Sequence, residues 1–254
     1  MKNKKFLLSA LFALGCLVSA NAQVSTAPSD LILGFSASSG TNSTNSLEIN
    51  LGSASSLVAL SGGSEHFFGQ SVVSLLDLQA YGSSNSWQNT LLTWGVVGAT
   101  DTGDAKIWGT VKSGSTVGNP GANQGTPSNL IQTMVSALNG ATATINSAAA
   151  ASVVGTNAWK NKATGSLNFS YTPWNGKLVQ STSALLTNAF ESSSLYAFNE
   201  AGSADLLGTF KLYQNGDFSF TSVIPEPSTY AALLGVATLG FVAIRRRKQQ
   251  QLLA

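Results

Sequence analysis

Alternation of apolar and polar residues along the chain predicts a protein built mainly of β-strands. Leu47, Ile49 and Leu51 fall on one face of an extended segment, because successive residues of a strand point to opposite sides. Alternation or short apolar runs bounded by turn residues predict further strands at Leu31–Ala37, Leu91–Gly98 and Ala105–Val111. This pattern favours a sandwich-like arrangement of antiparallel sheets.

A β-hairpin is predicted late in the chain. Two strand-like segments, Leu207–Tyr213 and Asp217–Ser222, flank the dipeptide Asn215-Gly216, which suits a type I′ turn. Apolar residues of the two strands then pack on the same face of the hairpin.

One or two peripheral helices are predicted to interrupt the strands. The first covers Val72–Tyr81, and the second covers Pro127–Leu138, with Thr126 and Pro127 at its start and Gly140 after its end. The alanine-rich run Ala148–Val154 is compatible with an extension of the second helix.

The first 22 residues have the pattern of a signal peptide. A basic start and an apolar run, Phe6–Val18, precede Ala20-Asn21-Ala22, the small-residue pattern that signal peptidase accepts. The run is shorter than the ~17–25 residues of a spanning helix, which disfavours an uncleaved anchor. The sequence therefore predicts export through the Sec translocon and cleavage by signal peptidase before Gln23.

The one cysteine of the chain leaves a second processing route open. Ala13-Leu14-Gly15-Cys16 resembles the lipobox of acylated lipoproteins, although Leu14 is bulky where that box prefers a small residue. If the cut falls before Gln23 instead, the mature chain has no cysteine. Disulfides, thiol nucleophiles and thiolate metal ligands are then excluded.

A second patterned segment begins at Ile224. Pro225-Glu226-Pro227 precedes an apolar span, Tyr230–Ile244, which is followed by a basic cluster. At ~1.5 Å per residue the span measures roughly 22 Å, so it predicts a short transmembrane helix in a ~30 Å hydrocarbon layer. The basic cluster is predicted to stop the helix on the cytoplasmic side, and it consists of Arg245, Arg246, Arg247 and Lys248.

This order of features resembles the PEP-CTERM sorting signal of exported bacterial proteins, a tail also catalogued as an ice-binding protein C-terminal domain. The resemblance implies that Pro225, Glu226 and Pro227 are recognised by an exosortase-like membrane enzyme, which cuts near them and passes the protein onward. The protein is then expected to be anchored in the inner membrane before processing and to reach the cell surface or the medium afterwards. A permanent tail anchor without processing is the alternative.

A further resemblance concerns the region between the two ends. Four short apolar segments are similar to those of exported PEP-CTERM proteins from Verrucomicrobia-like bacteria, namely 30–35, 47–52, 92–98 and 207–210. The predicted organisation is a signal peptide at 1–22, a β-rich exported core at 23–223 and a sorting tail at 224–254. No proline-rich linker or clean internal repeat divides the core.

Charge separates the core from the two ends. The chain has a net charge of +2, but six lysines face ten acidic residues between 23 and 223, which leaves the core at about −4. The core therefore has no basic stripe, and nucleic-acid binding is excluded.

Candidate catalytic residues in the core are few. His66 is the one histidine, and its neighbour Glu65 would point to the opposite side of a strand, so we predict a solvent-exposed loop histidine. Asp101-Thr102-Gly103 matches an aspartic-protease triplet without the required second copy. Asp101 and Asp104 together suggest a weak Ca²⁺ site, against a solvated turn. No enzyme activity, metal site or cofactor is predicted.

Aromatic residues leave carbohydrate binding open. The candidates for stacking on sugar rings are Trp87, Trp94, Trp108, Trp159, Trp174, Tyr171 and Tyr213, of which Trp94 and Trp108 lie in apolar strand patterns typical of a core. The first interpretation is an exported surface or extracellular-matrix protein of unknown molecular activity. The second is a carbohydrate-binding module for exopolysaccharide, which exposed coplanar aromatics would favour; a cleft with two facing acids would favour hydrolysis instead.

Overall fold

The computed structural model describes most of the core and a short part of the tail. The described residues are 22–38, 42–61, 63–82, 87–90, 92–100, 106–117, 124–163, 169, 171, 174, 177–199, 203–223 and 234–241. The strands are β1 Asp30–Ala37, β2 Asn45–Ser53, β3 Glu65–Phe67, β4 Leu92–Ala99, β5 Ile107–Lys112, β6 Ala150–Val154, β7 Gln180–Ser181, β8 Phe190–Phe198, β9 Ala204–Tyr213 and β10 Phe218–Ser222. The helices are α1 Ala54–Ser61, α2 Leu75–Tyr81, α3 Gly125–Leu138, α4 Trp159–Ala163 and, in the tail, α5 at 234–241.

These strands join in one antiparallel sheet. Its order is β3-β10-β9-β8-β5-β4-β1-β2-β6, and β7 pairs with β4 beside this path. Several neighbours are distant in sequence, for example β2 with β6 and β5 with β8. The sheet therefore depends on long-range pairing as well as on hairpins.

One face of the sheet, here called the inner face, curls around an apolar core. Trp94 in β4 and Phe218 in β10 lie four strands apart in the sheet order, yet their rings meet edge to face with centroids 5.5 Å apart. Helix α1 contacts both β2 and β10, so it bridges the two halves of the curl. Other buried residues of this core include Leu33, Phe35, Ile49, Leu195, Phe210 and Phe220.

The predicted pair of sheets is therefore corrected to a single curled sheet. Its core is sandwich-like only because two halves of the same sheet face each other. Alternation along each strand identifies inward residues, but it carries no information on whether the strands share one sheet. The prediction of mainly antiparallel β-structure is confirmed, and the core has more helices than the one or two expected.

The opposite face, here called the outer face, is covered by helices over half of its width. Helix α3 packs on β4 and β6, and α4 packs on β1 and β2. The ring of Trp159 lies so close to Gly34 in β1 that a Cβ atom at this position would overlap it. Glycine is therefore needed at 34 for α4 to approach the sheet.

Two polar residues of β2 hold the start of α4. The Trp159 N–H donates to Glu48 Oε1 at 2.7 Å, and the Lys160 N–H donates to Ser46 Oγ at 2.7 Å. Glu48 is fully buried, and burial raises its pKa to about 8 in spite of the hydrogen bond from Trp159. The carboxyl is therefore mainly protonated at neutral pH.

The four strands and the hairpin predicted from the sequence are confirmed, but the predicted type I′ turn is wrong. The Gly216 N–H donates to the Tyr213 carbonyl, and the Tyr213 N–H donates to the Asp217 carbonyl. Gly216 has φ +86°, whereas Asn215 is not among the residues with positive φ. A three-residue loop of this kind is a type I turn followed by a glycine bulge.

Both predicted helices are present with altered bounds. Helix α2 begins at Leu75, three residues after the predicted start, and α3 begins at Gly125. The predicted extension of the second helix is wrong, because Ala150–Val154 is strand β6, paired with β2. Alanine favours helices, but pairing with a distant strand outweighs that local preference.

Residues at the start of the described core extend the sheet beyond β6. Ala143 bridges Ala151 of β6, and Gln23 in turn bridges Thr142. The buried Val24 donates its N–H to the Ala141 carbonyl and accepts from the Gly140 N–H. This segment therefore covers an edge that would otherwise be open to pairing with another chain.

Candidate binding surface and sorting tail

The aromatic residues proposed for sugar stacking divide into buried and accessible ones. Five of them are core residues with at most 6% exposure, namely Trp87, Trp94, Trp159, Trp174 and Tyr171. Trp108 is half-buried against the inner core, in agreement with its apolar strand pattern. Tyr213 is partly exposed and points to the outer face.

Three aromatic side chains lie side by side on a part of the outer face that no described helix covers. Phe67 of β3, Tyr213 of β9 and Phe190 of β8 form this row, here called the aromatic strip. The ring centroids of Phe67 and Tyr213 are 5.7 Å apart, and those of Tyr213 and Phe190 are 5.6 Å apart. Phe67 is 51% exposed and Phe190 is 42% exposed, so the strip is accessible.

The small Ser219 explains how rings on β3 and β9 meet across the strand between them. Ser219 pairs with Phe67 on one side and with Lys211 on the other, and it is fully buried beneath its neighbours. Two large side chains can therefore lean over β10 and touch. Neighbouring hydroxyl residues on the same outer face are Ser192, Ser194, Thr209 and Thr221.

A network of polar groups fixes the strip in place. Glu65 Oε1 accepts hydrogen bonds from the Tyr213 hydroxyl at 2.6 Å and from Ser219 Oγ at 2.7 Å, and it pairs with Lys211 Nζ at 3.2 Å. Lys211 Nζ also lies over the Phe190 ring, 4.9 Å from its centroid. Each polar group of the network therefore orients a ring of the strip or the carboxylate beside it.

The network shifts the ionisation of its members. The hydrogen bond from Tyr213 holds the pKa of Glu65 below its ordinary value. Partial burial and the hydrogen bond to Glu65 raise the pKa of Tyr213. Partial burial lowers the pKa of Lys211, but the hydrogen bond and charge of Glu65 outweigh it and leave the pKa raised. Lys211 and Glu65 are therefore both charged at neutral pH, and their opposite charges form an ion pair.

A separate cleft of about 570 Å³ opens at one end of the inner face. Its apolar part is formed by Val58, Trp108 and Leu207, and Lys106 and Asp205 also line it. Asp205 is the sole acid among the described residues of this lining. The cleft therefore lacks, within the described chain, the two facing acids that would favour hydrolysis.

His66 does not lie in a loop as predicted. It is a half-buried residue of the edge strand β3, paired with Phe220, and its ring stacks edge to face on Phe68 with centroids 5.6 Å apart. Glu65 points to the outer face, so the two neighbours lie on opposite sides of the strand as expected. His66 is thus a packing residue.

The structure does not describe the predicted acidic sites. Asp101, Asp104 and the triplet Asp101-Thr102-Gly103 lie outside the described residues. Within the described ranges no cluster of three or more His, Cys, Asp or Glu side chains could hold a metal ion.

Most of the predicted processing residues also lie outside the described ranges. Ala20, the motif Pro225-Glu226-Pro227 and the basic cluster Arg245, Arg246, Arg247 and Lys248 belong to this group. Ala22 and Gln23 open the first described segment, and the predicted cut between them stays a prediction. Cys16, the possible lipidation site, is likewise undescribed.

The predicted membrane span is described only at α5. Its side chains are exposed, including Leu234, Leu239 and Phe241. Within the described ranges, no helix has the length and apolar character needed to cross a bilayer.

Two residues of the aromatic strip were missed by sequence reasoning. Phe67 and Phe190 lie in short sequence segments rich in polar residues, which are typical of loops. Only Tyr213 was among the candidates. An available signal was the alternation in β8, where Phe190, Ser192 and Ser194 share the side opposite to the buried residues. An aromatic residue on the polar side of a strand indicates an exposed contact.

Comparison with known proteins identifies the tail. Residues 223–248 match the family model of the PEP-CTERM protein-sorting motif. No curated protein and no solved structure matches the chain. The matched range contains Pro225-Glu226-Pro227 and Arg245–Lys248, so the resemblance of the tail to the PEP-CTERM sorting signal is confirmed. The chain carries a PEP-CTERM protein-sorting motif, the signal of an exported protein that an exosortase processes at the membrane.

Proposed function

We propose that this chain is a bacterial protein of the cell surface or the extracellular matrix, delivered there through its sorting tail. The observation that carries the proposal is the match of residues 223–248 to the sorting motif. The N-terminal pattern supports entry through the Sec translocon and cleavage by signal peptidase before Gln23. The apolar residues of the tail and the cluster Arg245–Lys248 support temporary anchoring in the inner membrane before the exosortase acts.

The sorting proposal is tested by cell fractionation in the native host. We expect the normal chain at the cell surface or in the medium, and a Pro225→Ala/Pro227→Ala chain in the membrane fraction. Pro28→Ala is the matched control, because Pro28 is an exposed proline of the core. If the double variant is distributed like the normal chain and the control, the motif does not direct sorting.

A second candidate function is carbohydrate binding by the core. The aromatic strip favours it, because three accessible rings in a row can contact successive sugar rings, although their planes are tilted by 34° and 51° and are not coplanar. Exopolysaccharide of the matrix is the ligand that fits an exported protein. The purified full chain should then be depleted from solution by washed exopolysaccharide of its host, and a chain that stays in solution would refute this function.

A further inference from the structure

We propose that the aromatic strip binds a neutral, extended polysaccharide chain, laid across β8, β9 and β3. The inference rests on the carbohydrate-binding candidate given above, and it adds the site and the class of ligand. It is carried by the geometry of the rings, by the size of the exposed area and by the balance of charge around it.

The rings form a platform of suitable geometry. Phe67, Tyr213 and Phe190 stand in one row, with neighbouring centroids 5.7 and 5.6 Å apart and ring planes tilted by 34° and 51°. That spacing is close to the length of one hexose unit in an extended chain. Because the planes are tilted and Lys211 Nζ covers one face of Phe190, consecutive sugar units contact the rings through their free faces and exposed edges, while their hydroxyl groups reach the serines and threonines of the outer face.

The size of the strip favours a narrow ligand over a protein. Phe and Tyr side chains present ~150–250 Å² each when fully exposed, so the partly exposed strip offers on the order of 200–300 Å². A stable protein interface buries about 800 Å² on each partner. A second copy of this chain would need far more contact area than the strip provides, whereas a single polysaccharide chain would not.

The charge around the strip favours a neutral ligand. Lys211 is the one cation of the network, and its charge is opposed by Glu65 at 3.2 Å. The core as a whole carries about −4, which repels a polyanion. The hydrogen bonds from Tyr213 and Ser219 both end on Glu65 Oε1, so a sugar hydroxyl can donate to Oε2.

The platform is held in its binding geometry before a ligand arrives. The Tyr213 hydroxyl is fixed by Glu65, the Phe190 ring lies under Lys211, and Phe67 packs on Tyr213. Side chains that are already ordered lose little entropy on binding. This arrangement suits a ligand that gains only a modest free energy from each ring.

The test uses the purified full chain and two probes, insoluble cellulose as a neutral extended polysaccharide and alginate as an anionic one. We expect depletion by cellulose at both low and high salt, and no retardation by alginate in affinity electrophoresis. Phe67→Ala/Phe190→Ala should weaken cellulose binding about 5- to 150-fold, since it removes two of the three ring contacts. Leu60→Ala/Leu76→Ala, which removes two exposed apolar residues elsewhere, should leave it unchanged.

A conservative variant and the thermal midpoint separate binding from folding. Phe67→Tyr/Phe190→Tyr keeps both rings and should bind cellulose like the normal chain. Alginate binding without cellulose binding would overturn the ligand class and leave carbohydrate binding standing. If the chain binds neither cellulose, nor alginate, nor the host exopolysaccharide, both the proposed ligand class and carbohydrate binding by the core are refuted. A dimer that the alanine pair dissociates would show instead that the strip is a self-interface.

Discussion

The contact between Gly34 and Trp159 determines how closely α4 approaches the sheet. Replacing Gly34 by Ala places a methyl group inside the Trp159 ring, and the helix must move away. Overpacking of this kind costs about 1–3 kcal/mol of the free energy of unfolding, which urea denaturation measures. Gly69→Ala is the control, because its new methyl meets only Ser71 Oγ at 3.6 Å, and it should change stability by less than about 0.5 kcal/mol. Equal losses in the two variants would contradict the account.

The buried Glu48 makes stability depend on pH. Its pKa is raised from 4.5 to about 8, so the folded state retains a proton that the unfolded chain releases. The contribution of Glu48 to the free energy of unfolding is therefore fully present below about pH 4.5. It falls as the pH rises to about 8 and is constant above that value. The total loss of unfolding free energy from this group is on the order of 5 kcal/mol.

The variant Glu48→Gln tests this dependence. Its amide oxygen can still accept from the Trp159 N–H, but it carries no titrating proton. The free energy of unfolding, measured by urea denaturation, should fall between pH 5 and pH 8 in the normal chain by roughly 1.4 kcal/mol per pH unit. In Glu48→Gln the free energy of unfolding should lack this decrease between pH 5 and pH 8. Parallel curves for the two chains would show that Glu48 is not the group responsible.

At the scale of elements, local pattern predicted some segments and failed for others. The residues of β1, β2 and β4 alternate or form apolar runs, and the structure confirms them as strands. Ala150–Val154 has helical composition, yet it becomes β6 because Asn45–Ile49 supplies a strand partner. That partner is about a hundred residues away in sequence, so no local rule identifies it.

The hairpin between β9 and β10 depends on one glycine. Gly216 has φ +86°, and a Cβ atom there would lie 2.7 Å from Leu75 Cδ1. Gly216→Ala therefore adds a steric contact to a backbone strain of about 1–2 kcal/mol. Gly114 has a similar φ of +77° and open space around it. The loss of stability in Gly114→Ala should therefore come from backbone strain alone. Thermal unfolding of the two variants should give the larger loss for Gly216, and a smaller one would contradict the predicted contact.

At the scale of the whole molecule, the sequence predicted the composition of the fold but not its curl. The curl brings β10 opposite β4, and this requires pairings such as β5 with β8 that alternation does not encode. The aromatic strip arises in the same way. Phe67, Tyr213 and Phe190 belong to three strands and become neighbours only when the sheet forms, so the sequence identified one of them.

The sorting motif was recognised from the sequence because its signal is linear. An exosortase is expected to recognise Pro225-Glu226-Pro227 as a short extended segment, since two prolines restrict the backbone near it. The apolar span and Arg245–Lys248 are likewise expected to act through their position along the chain. Such a signal needs no distant contact, and the family model matches it at 223–248.

The most direct test of the central claim is the intact mass of the protein isolated from its native host. The account predicts a mature chain that begins at Gln23 and ends near Pro227, and a Pro225→Ala/Pro227→Ala chain that keeps its tail in the membrane. Masses showing that both chains retain Arg245–Ala254 would contradict processing by an exosortase and leave the tail as an anchor only.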